Sequence, residues 1–327
     1  MTRPTAVVSH PDCARHDTGW KHPEHQGRLP AIVRGLYRQT PALLDRMLQV
    51  EASSGTPALL HTVHSERHVA HVRAAAEAAE AAGQPRRLTP DTMISGASWE
   101  AALGAVGAAR EATRLVLAGE ARTAFALTRP PGHHATADAA MGFCLFNNAA
   151  VAARWAQAEG GAARVLIVDW DAHHGNGTQE LFYRDGSVYY LSFHLSGHYP
   201  GTGGEGERGA GAGAGATRNV PFGHGTGREA YLEAFERVVG EVAGAFRPEL
   251  IVVSAGFDCL AGDPLGGLAL EPADLHVLAR VVMEAGSETA GGRVVALLEG
   301  GYVPARIAAA AVEMIRAFAG LPALDAD

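Results

Sequence analysis

Two aspartates and a histidine stand two residues apart at the end of an apolar run. Val165-Leu-Ile-Val168 leads into Asp169-Trp-Asp171-Ala-His173-His174-Gly-Asn176. The run is short and β-branched, which predicts a buried strand. Residues two apart on an extended chain point the same way. Asp169, Asp171 and His173 therefore share a side if the extended path persists to His173. Carboxylates and an imidazole converging from one side suit a divalent cation such as zinc. A lone Asp-x-His is usually an ordinary polar turn, but here the arrangement recurs. His133-His134 follow the strand Thr123–Leu127, Asp258 follows Glu249–Ser254, and Tyr302 follows Arg293–Leu298.

In an open parallel sheet such strand ends lie along one edge. Asp171, His173 and Asp258 can then supply three ligands to one ion. Two carboxylates balance its charge and leave positions open for water and substrate. Such an ion lowers the pKa of water from ~16 toward ~7 and polarises a carbonyl. His133 and His134, turned by Pro130-Pro131-Gly132, can move protons. Asp169 and Asn176 are the available partners for their rings. An aspartate raises basicity and an asparagine only orients, so the two imidazoles should differ in pKa. Tyr302 follows Gly300-Gly301, where backbone can approach closely. Its phenol can donate to a tetrahedral oxyanion, worth about 10²–10³ in rate. There is no Gly-x-Ser-x-Gly elbow. Cys144 has no obvious activating base and reads as a small wall residue. The chemistry is metal-assisted hydrolysis of an amide or similar bond.

The elements that must position these residues alternate. Strands are expected at Thr5–Ser9, Thr123–Leu127, Arg164–Val168, Ser187–Phe193, Glu249–Ser254 and Arg293–Leu298. Helices are expected at Leu29–Tyr37, Glu66–Ala82, Ser98–Ala118, Asn147–Glu159, about Gly177–Tyr183, Glu229–Phe246, Ala273–Glu288 and Pro304–Ala319. Near-continuous apolar strands alternating with helices predict a three-layer αβα fold around a mostly parallel sheet. No linker interrupts the series, so the span 1–327 reads as one domain. Gly201–Ala216 is rich in Gly and Ala, lacks phosphate-loop spacing, and reads as a surface loop. His61, His64, His68 and His71 stack along one helical side at their spacing. No carboxylate or cysteine interleaves, so a solvated or hydrogen-bonded face is the better reading than a metal stripe.

The 327 residues carry a net charge of -8 and no long basic run, which argues against nucleic-acid binding. No transmembrane-length apolar segment or signal-peptide core appears. Cys13, Cys144 and Cys259 are too few and too scattered for a disulfide framework. These features read as a cytoplasmic protein with no membrane partner. Oligomeric state does not follow from them.

Together these residues resemble the zinc-dependent histone deacetylase family, of the arginase–deacetylase fold. The resemblance spans about His10 to Ala319. It rests on Arg129-Pro-Pro-Gly-His-His134, Gly142-Phe-Cys-x-Phe-Asn-Asn148, Asp169-x-Asp-x-His-His-Gly-Asn176, Ser254-Ala-Gly-Phe-Asp258 and Glu299-Gly-Gly-Tyr302. It implies zinc on Asp171, His173 and Asp258, with His134 as general base and acid. His133 would lend electrostatic support, paired to Asp169, and Asn176 would hold His134. Asn176 and His22-Pro-Glu24 with Arg28 look like class II members, in which the arginine lines an internal channel. Gly142 and Phe143 match the tunnel gripping an acyl-lysine, and Tyr199 is the nearest match to the opposite wall. Gly300, two residues before Tyr302, is expected at the substrate. Ser192 and the Phe193 carbonyl, with Asp169, Asp171 and His173, resemble a structural potassium site. Leu265 stands where acetylpolyamine-selective members carry Glu, which favours an acyl-lysine peptide or protein over a small acylated amine. A binuclear manganese ureohydrolase would need an Asp at Gly175 and a second Asp beside Asp258. A non-hydrolysing binder is the remaining alternative, although every ligand and acid–base position is filled.

Overall fold

The computed structural model describes residues 3–324; Met1, Thr2 and 325–327, the extremes of the expected domain span, lie outside them. Its centre is an eight-stranded sheet. The strands are β1 (Thr5–Ser9), β2 (Met47–Glu51), β3 (Thr123–Ala126), β4 (Val165–Asp169), β5 (Val188–Leu195), β6 (Thr217–Phe222), β7 (Leu250–Ala255) and β8 (Val294–Leu298). Their order is β2-β1-β3-β8-β7-β4-β5-β6, and every neighbouring pair is parallel. The expected mostly parallel sheet is therefore wholly parallel among the described strands.

The longer helices are α1 (Arg28–Arg38), α2 (Glu66–Ala82), α3 (Ser98–Leu117), α4 (Asn148–Ala158), α5 (Asn176–Phe182), α6 (Arg228–Phe246), α7 (Asp274–Thr289) and α8 (Pro304–Phe318). They cover both faces of the sheet, because period-two strands present a different side chain to each face. In β4, Leu166 and Val168 join Phe235, Leu278 and Ile315 of α6, α7 and α8 in one core. Val165 and Ile167 join Ala108, Ala112 and Ala153 of α3 and α4 in the other. The result is three αβα layers around a parallel sheet, the architecture expected of the arginase–deacetylase fold. No helix among the described residues is long and apolar enough to cross a membrane.

Every expected strand and helix is present within two residues of its expected ends. Two strands of this sheet, β2 and β6, had no sequence signal, and they are its two edges; the short antiparallel pair Arg86–Arg87 and Met93–Ile94 outside it had none either. Met47–Glu51 is mostly exposed or half-buried, and β6 carries Arg218, Asn219 and Pro221. An edge strand needs no continuous apolar run and tolerates proline. The histidine stripe does not form, because α2 begins at Glu66, capped by Ser65, whose hydroxyl accepts from the His68 N–H. His61 and His71 are exposed, whereas His64 and His68 are buried. The buried pair is hydrogen-bonded to the carbonyls of Thr136 and Leu145.

Candidate active site

The ladder register levels the carboxyl ends of the central strands: Asp169 pairs with Ser254 and with Ser192, and Leu298 with Ala255. Strands β3, β8, β7, β4 and β5 are consecutive in the sheet. The loops that follow them therefore meet at one place. The chain leaves β7 for α7 on one face and β4 for α5 on the other, which opens a crevice between the two. Asp258 enters it from β7, and Asp171 and His173 enter from β4.

These three buried residues offer ligand atoms within 4.8 Å of one another, and among the described residues they are the one such group of three. His173 Nδ1 lies 3.0 Å from Asp171 Oδ1 and 3.1 Å from Asp258 Oδ2. Its Nε2–H donates to the Leu265 carbonyl at 3.1 Å, which aims Nδ1 at the carboxylates. Burial alone would depress the imidazole pKa, but the bonds to Asp171 and Asp258 outweigh it and hold His173 well above its usual range. Two buried carboxylates whose ion-pair partners, among the described residues, are histidines form a site that seeks positive charge. This donor set fits a divalent cation such as zinc.

The carboxylates are held by backbone. Gly300 N–H donates to Asp171 Oδ2 at 2.9 Å, and Ala172 N–H to Asp258 Oδ1 at 2.8 Å. Gly300 does not line the pocket, contrary to the expectation; it lies under the carboxylates, and a Cβ there would collide with both Asp258 and Asp171. Gly300→Ala is accordingly expected to weaken divalent-cation binding at this triangle about 10–100-fold, as supports of ligands do. A chelator competition titration measures it, and unchanged affinity would contradict the packing argument.

The two histidines separate as their partners require. His133 Nδ1 lies 3.0 Å from Asp169 Oδ2, and His134 Nδ1 2.8 Å from Asn176 Oδ1. Their ring centroids are 4.0 Å apart. Burial would lower the His133 pKa, but Asp169 and Asp171 outweigh it and hold it up at about 10. Burial, with the charges of His133 and His173, pushes His134 well below its usual value. Asn147 caps α4 through the Ala150 N–H, and its amide also donates to the Ala135 carbonyl, which ties the histidine loop to the helix.

A pocket of about 300 Å³ opens over the site, lined by His134, His173, Tyr302, Phe143, Tyr199 and Leu265 among others. Gly142 lines it too, at φ +54°, where a Cβ would strike the His134 ring. Phe143 follows at φ +68°, a conformation bulky residues rarely adopt. The Phe143 and Tyr302 rings meet edge-on at 5.9 Å. Tyr199 lines the pocket and stands edge-on to His134 at 5.0 Å. Arg28 is wholly buried. It donates to Glu24 and to the carbonyls of Glu299 and Gly301, with its guanidinium 5.5 Å from the Tyr302 ring. Ser192 and Phe193 are buried beside Asp169, and Ser192 Oγ lies 2.8 Å from His194 Nδ1. Cys144 is buried beneath Gly142 rather than on the pocket wall.

Four residues at the site carried no role in the sequence reading. His198 stacks on His173 at 5.1 Å and donates to the same Leu265 carbonyl at 2.8 Å. Asp91, at the pocket mouth, accepts from the Tyr199 hydroxyl at 2.8 Å. Asp263 accepts from the N–H groups of Leu265, Gly266 and Tyr302. Glu299 lies beneath the histidine pair. Of the four, Glu299 had a signal, a charge at the end of an apolar strand; the others sit in irregular loops.

This geometry agrees with what the chain is similar to. A family model described as a histone deacetylase domain matches residues 22–318. Histone deacetylase 15 of Arabidopsis thaliana is 41% identical over 303 residues, covering 91% of this chain and 53% of that protein. The chain thus spans about half the length of that relative. The histone deacetylase-like amidohydrolase of Pseudomonas aeruginosa is 37% identical, covering 91% of this chain and 76% of the other. A probable deacetylase of Archaeoglobus fulgidus is 35% identical, with 91% and 81% covered. The crystal structure of the HDA15 HD domain superposes with a TM-score of 0.91 at 39% identity, covering 98% of this chain and 89% of that one. With a family model matched across most of its length and the metal triangle, histidine pair and tyrosine in place, this chain belongs to the histone deacetylase family.

Proposed function

We propose that this chain, acting as one deacetylase domain, is a zinc-dependent amidohydrolase that removes acetyl or another short acyl group from lysine side chains. The observation that carries the reading is a single pocket shared by the metal-ligand face, His134 and Tyr302. A cation held by Asp171, His173 and Asp258 would supply Lewis acidity to a water and to the amide carbonyl.

The protein's own groups do the rest. Asn176 Oδ1 can only accept, so His134 keeps its proton on Nδ1 and presents a free Nε2 lone pair to the pocket. Its depressed pKa leaves it neutral, ready to take a proton from the attacking water and to return it to the leaving nitrogen. His133 stays protonated on Asp169 and lends positive charge beside it. Burial, with Asp258 and Asp171 nearby, raises the Tyr302 phenol well above its usual pKa. It remains a donor for the oxyanion formed from the amide. Phe143 and Tyr199 offer flat apolar walls to an aliphatic side chain. A structural potassium ion beside Asp169, Asp171, His173, Ser192 and Phe193 is part of the same reading. A ureohydrolase is disfavoured because Gly175, where a second carboxylate would be needed, has no room for a Cβ against Asp169 and Tyr190.

One observation favours a small acylated amine instead: the Asp91 carboxylate at the mouth could pair with a cationic chain. Side-by-side kcat/KM for an acetyl-lysine peptide and acetylspermidine separates the two. The peptide is expected to be preferred at least about tenfold, since Leu265 offers no carboxylate deep in the pocket. The reverse order would assign the amine.

A further inference from the structure

We propose that Glu299 is a positioning residue for the reaction: its buried carboxylate braces the backbone of the loop carrying His133 and His134. The inference rests on the function proposed above, because it acts through that histidine pair.

The bonding between β8 and β7 closes with the Glu299 N–H donating to the Ala255 carbonyl at 3.1 Å and the Phe257 N–H to the Gly300 carbonyl at 3.0 Å. Beyond that point the histidine loop has no strand partner. Its N–H groups are nevertheless buried, and buried donors need acceptors. Glu299 Oε2 accepts from Gly132 N–H at 2.6 Å and from His133 N–H at 3.2 Å. Oε1 accepts from the Ser254 hydroxyl at 3.3 Å. The side chain is wholly buried and, among the described residues, in no salt bridge. Burying a carboxyl group is costly, and burial raises its pKa to about 7 against the pull of the His133 charge. What it holds in return is the start of the histidine pair, whose two buried N–H groups it satisfies.

The brace is itself fixed. Arg28 donates to the carbonyls of Glu299 and Gly301, and Gly300 N–H holds Asp171. One tripeptide therefore references the histidine loop and a metal ligand to the same point. From the far side, Thr178 N–H donates to the His133 carbonyl at 3.1 Å. The position of the His134 ring relative to Asp171 follows from these two grips. A shift of about 1 Å in such a group costs on the order of 10² in rate.

The test uses the full chain, zinc-loaded, with Glu299→Gln and Glu299→Ala. An amide oxygen can still accept both N–H groups, and its NH₂ can donate to Ser254, so the glutamine variant preserves the brace without the charge. Glu299→Ala is expected to lose about 10²-fold in kcat with KM unchanged within about twofold and full zinc content. Glu299→Gln is expected to stay within about fivefold of the parent. Hydrogen–deuterium exchange of the segment 129–135 should rise in the alanine variant only. A glutamine variant as slow as alanine, an alanine variant that simply loses zinc, or unchanged exchange and kcat in alanine would overturn the inference. Absence of turnover in the parent chain would instead defeat the proposed function, and the exchange pattern would still decide whether Glu299 is the brace.

Discussion

Asp258→Ala is expected to lower deacetylation by about 10³–10⁴-fold, because the electrophilic contribution of the ion is worth several kcal/mol. The variant removes one of three ligands and leaves the Ala172 N–H without its acceptor. It also leaves Asp171 and His173 too few to hold a dication tightly. Zinc content should fall with activity, read by elemental analysis of the dialysed protein. Tyr302→Phe is the informative contrast. The phenol supplies no ligand to the triangle, so that variant should retain its zinc and lose about 10²–10³ in kcat. Two variants with similar losses but opposite metal contents would separate ion binding from oxyanion stabilisation. Normal turnover by a zinc-depleted Asp258→Ala protein would sink the mechanism.

Acid should unfold the protein steeply, as buried neutral histidines take up protons. His16, His64 and His194 are buried, and burial, more than the charges near them, lowers each pKa to about 3. The hydrogen bonds of His64 show why it must stay neutral. His64 Nδ1–H donates to the Thr136 carbonyl while Nε2 accepts from the Asn147 N–H, so a second proton would break the latter bond. The unfolded chain binds these protons near pH 6.5 and the folded chain does not until about 3. Stability is therefore intact above pH 6.5 and falls as pH drops through the interval. Three groups give a slope of about 4 kcal/mol per pH unit at most. Against a domain stability of about 5–15 kcal/mol, the fold should be lost between about pH 5 and 4. Glu24, burial outweighed by Arg129 and Arg28, has a pKa of about 2 and adds a further loss as pH falls below its unfolded value. Circular dichroism against pH measures the midpoint. His64→Gln should move it to lower pH and reduce the slope by about a third; a native fold at pH 4 would contradict the assignment.

Much of the site was legible because its chemistry is local in sequence. The Asp171-x-His173 spacing, the adjacent histidines and the tyrosine after a glycine pair each follow an apolar strand. A parallel sheet necessarily delivers strand ends to one edge. The helices and buried strands were legible for the same reason, since period and apolar content are read from neighbours in the chain. What escaped was non-local. Strands β2 and β6 are edges, half-wetted by position in the sheet rather than by any pattern of their own. Asp91, His198 and Asp263 matter because folding carries their loops to the pocket mouth and wall, where they meet Tyr199, His173 and Tyr302.

The amino-acid order by itself determined which groups could bind a cation and move protons, and that an α/β sheet would gather them. Only the tertiary structure decided that β3, β8, β7, β4 and β5 stand side by side. It also decided that Gly300 supports the carboxylates instead of touching substrate, and that Glu299 grips the histidine loop. The physical reason is one of range. Side-chain chemistry and backbone periodicity are encoded within a few residues, whereas strand order, close packing and the partners of buried hydrogen-bonding groups are settled by contacts between segments more than a hundred residues apart.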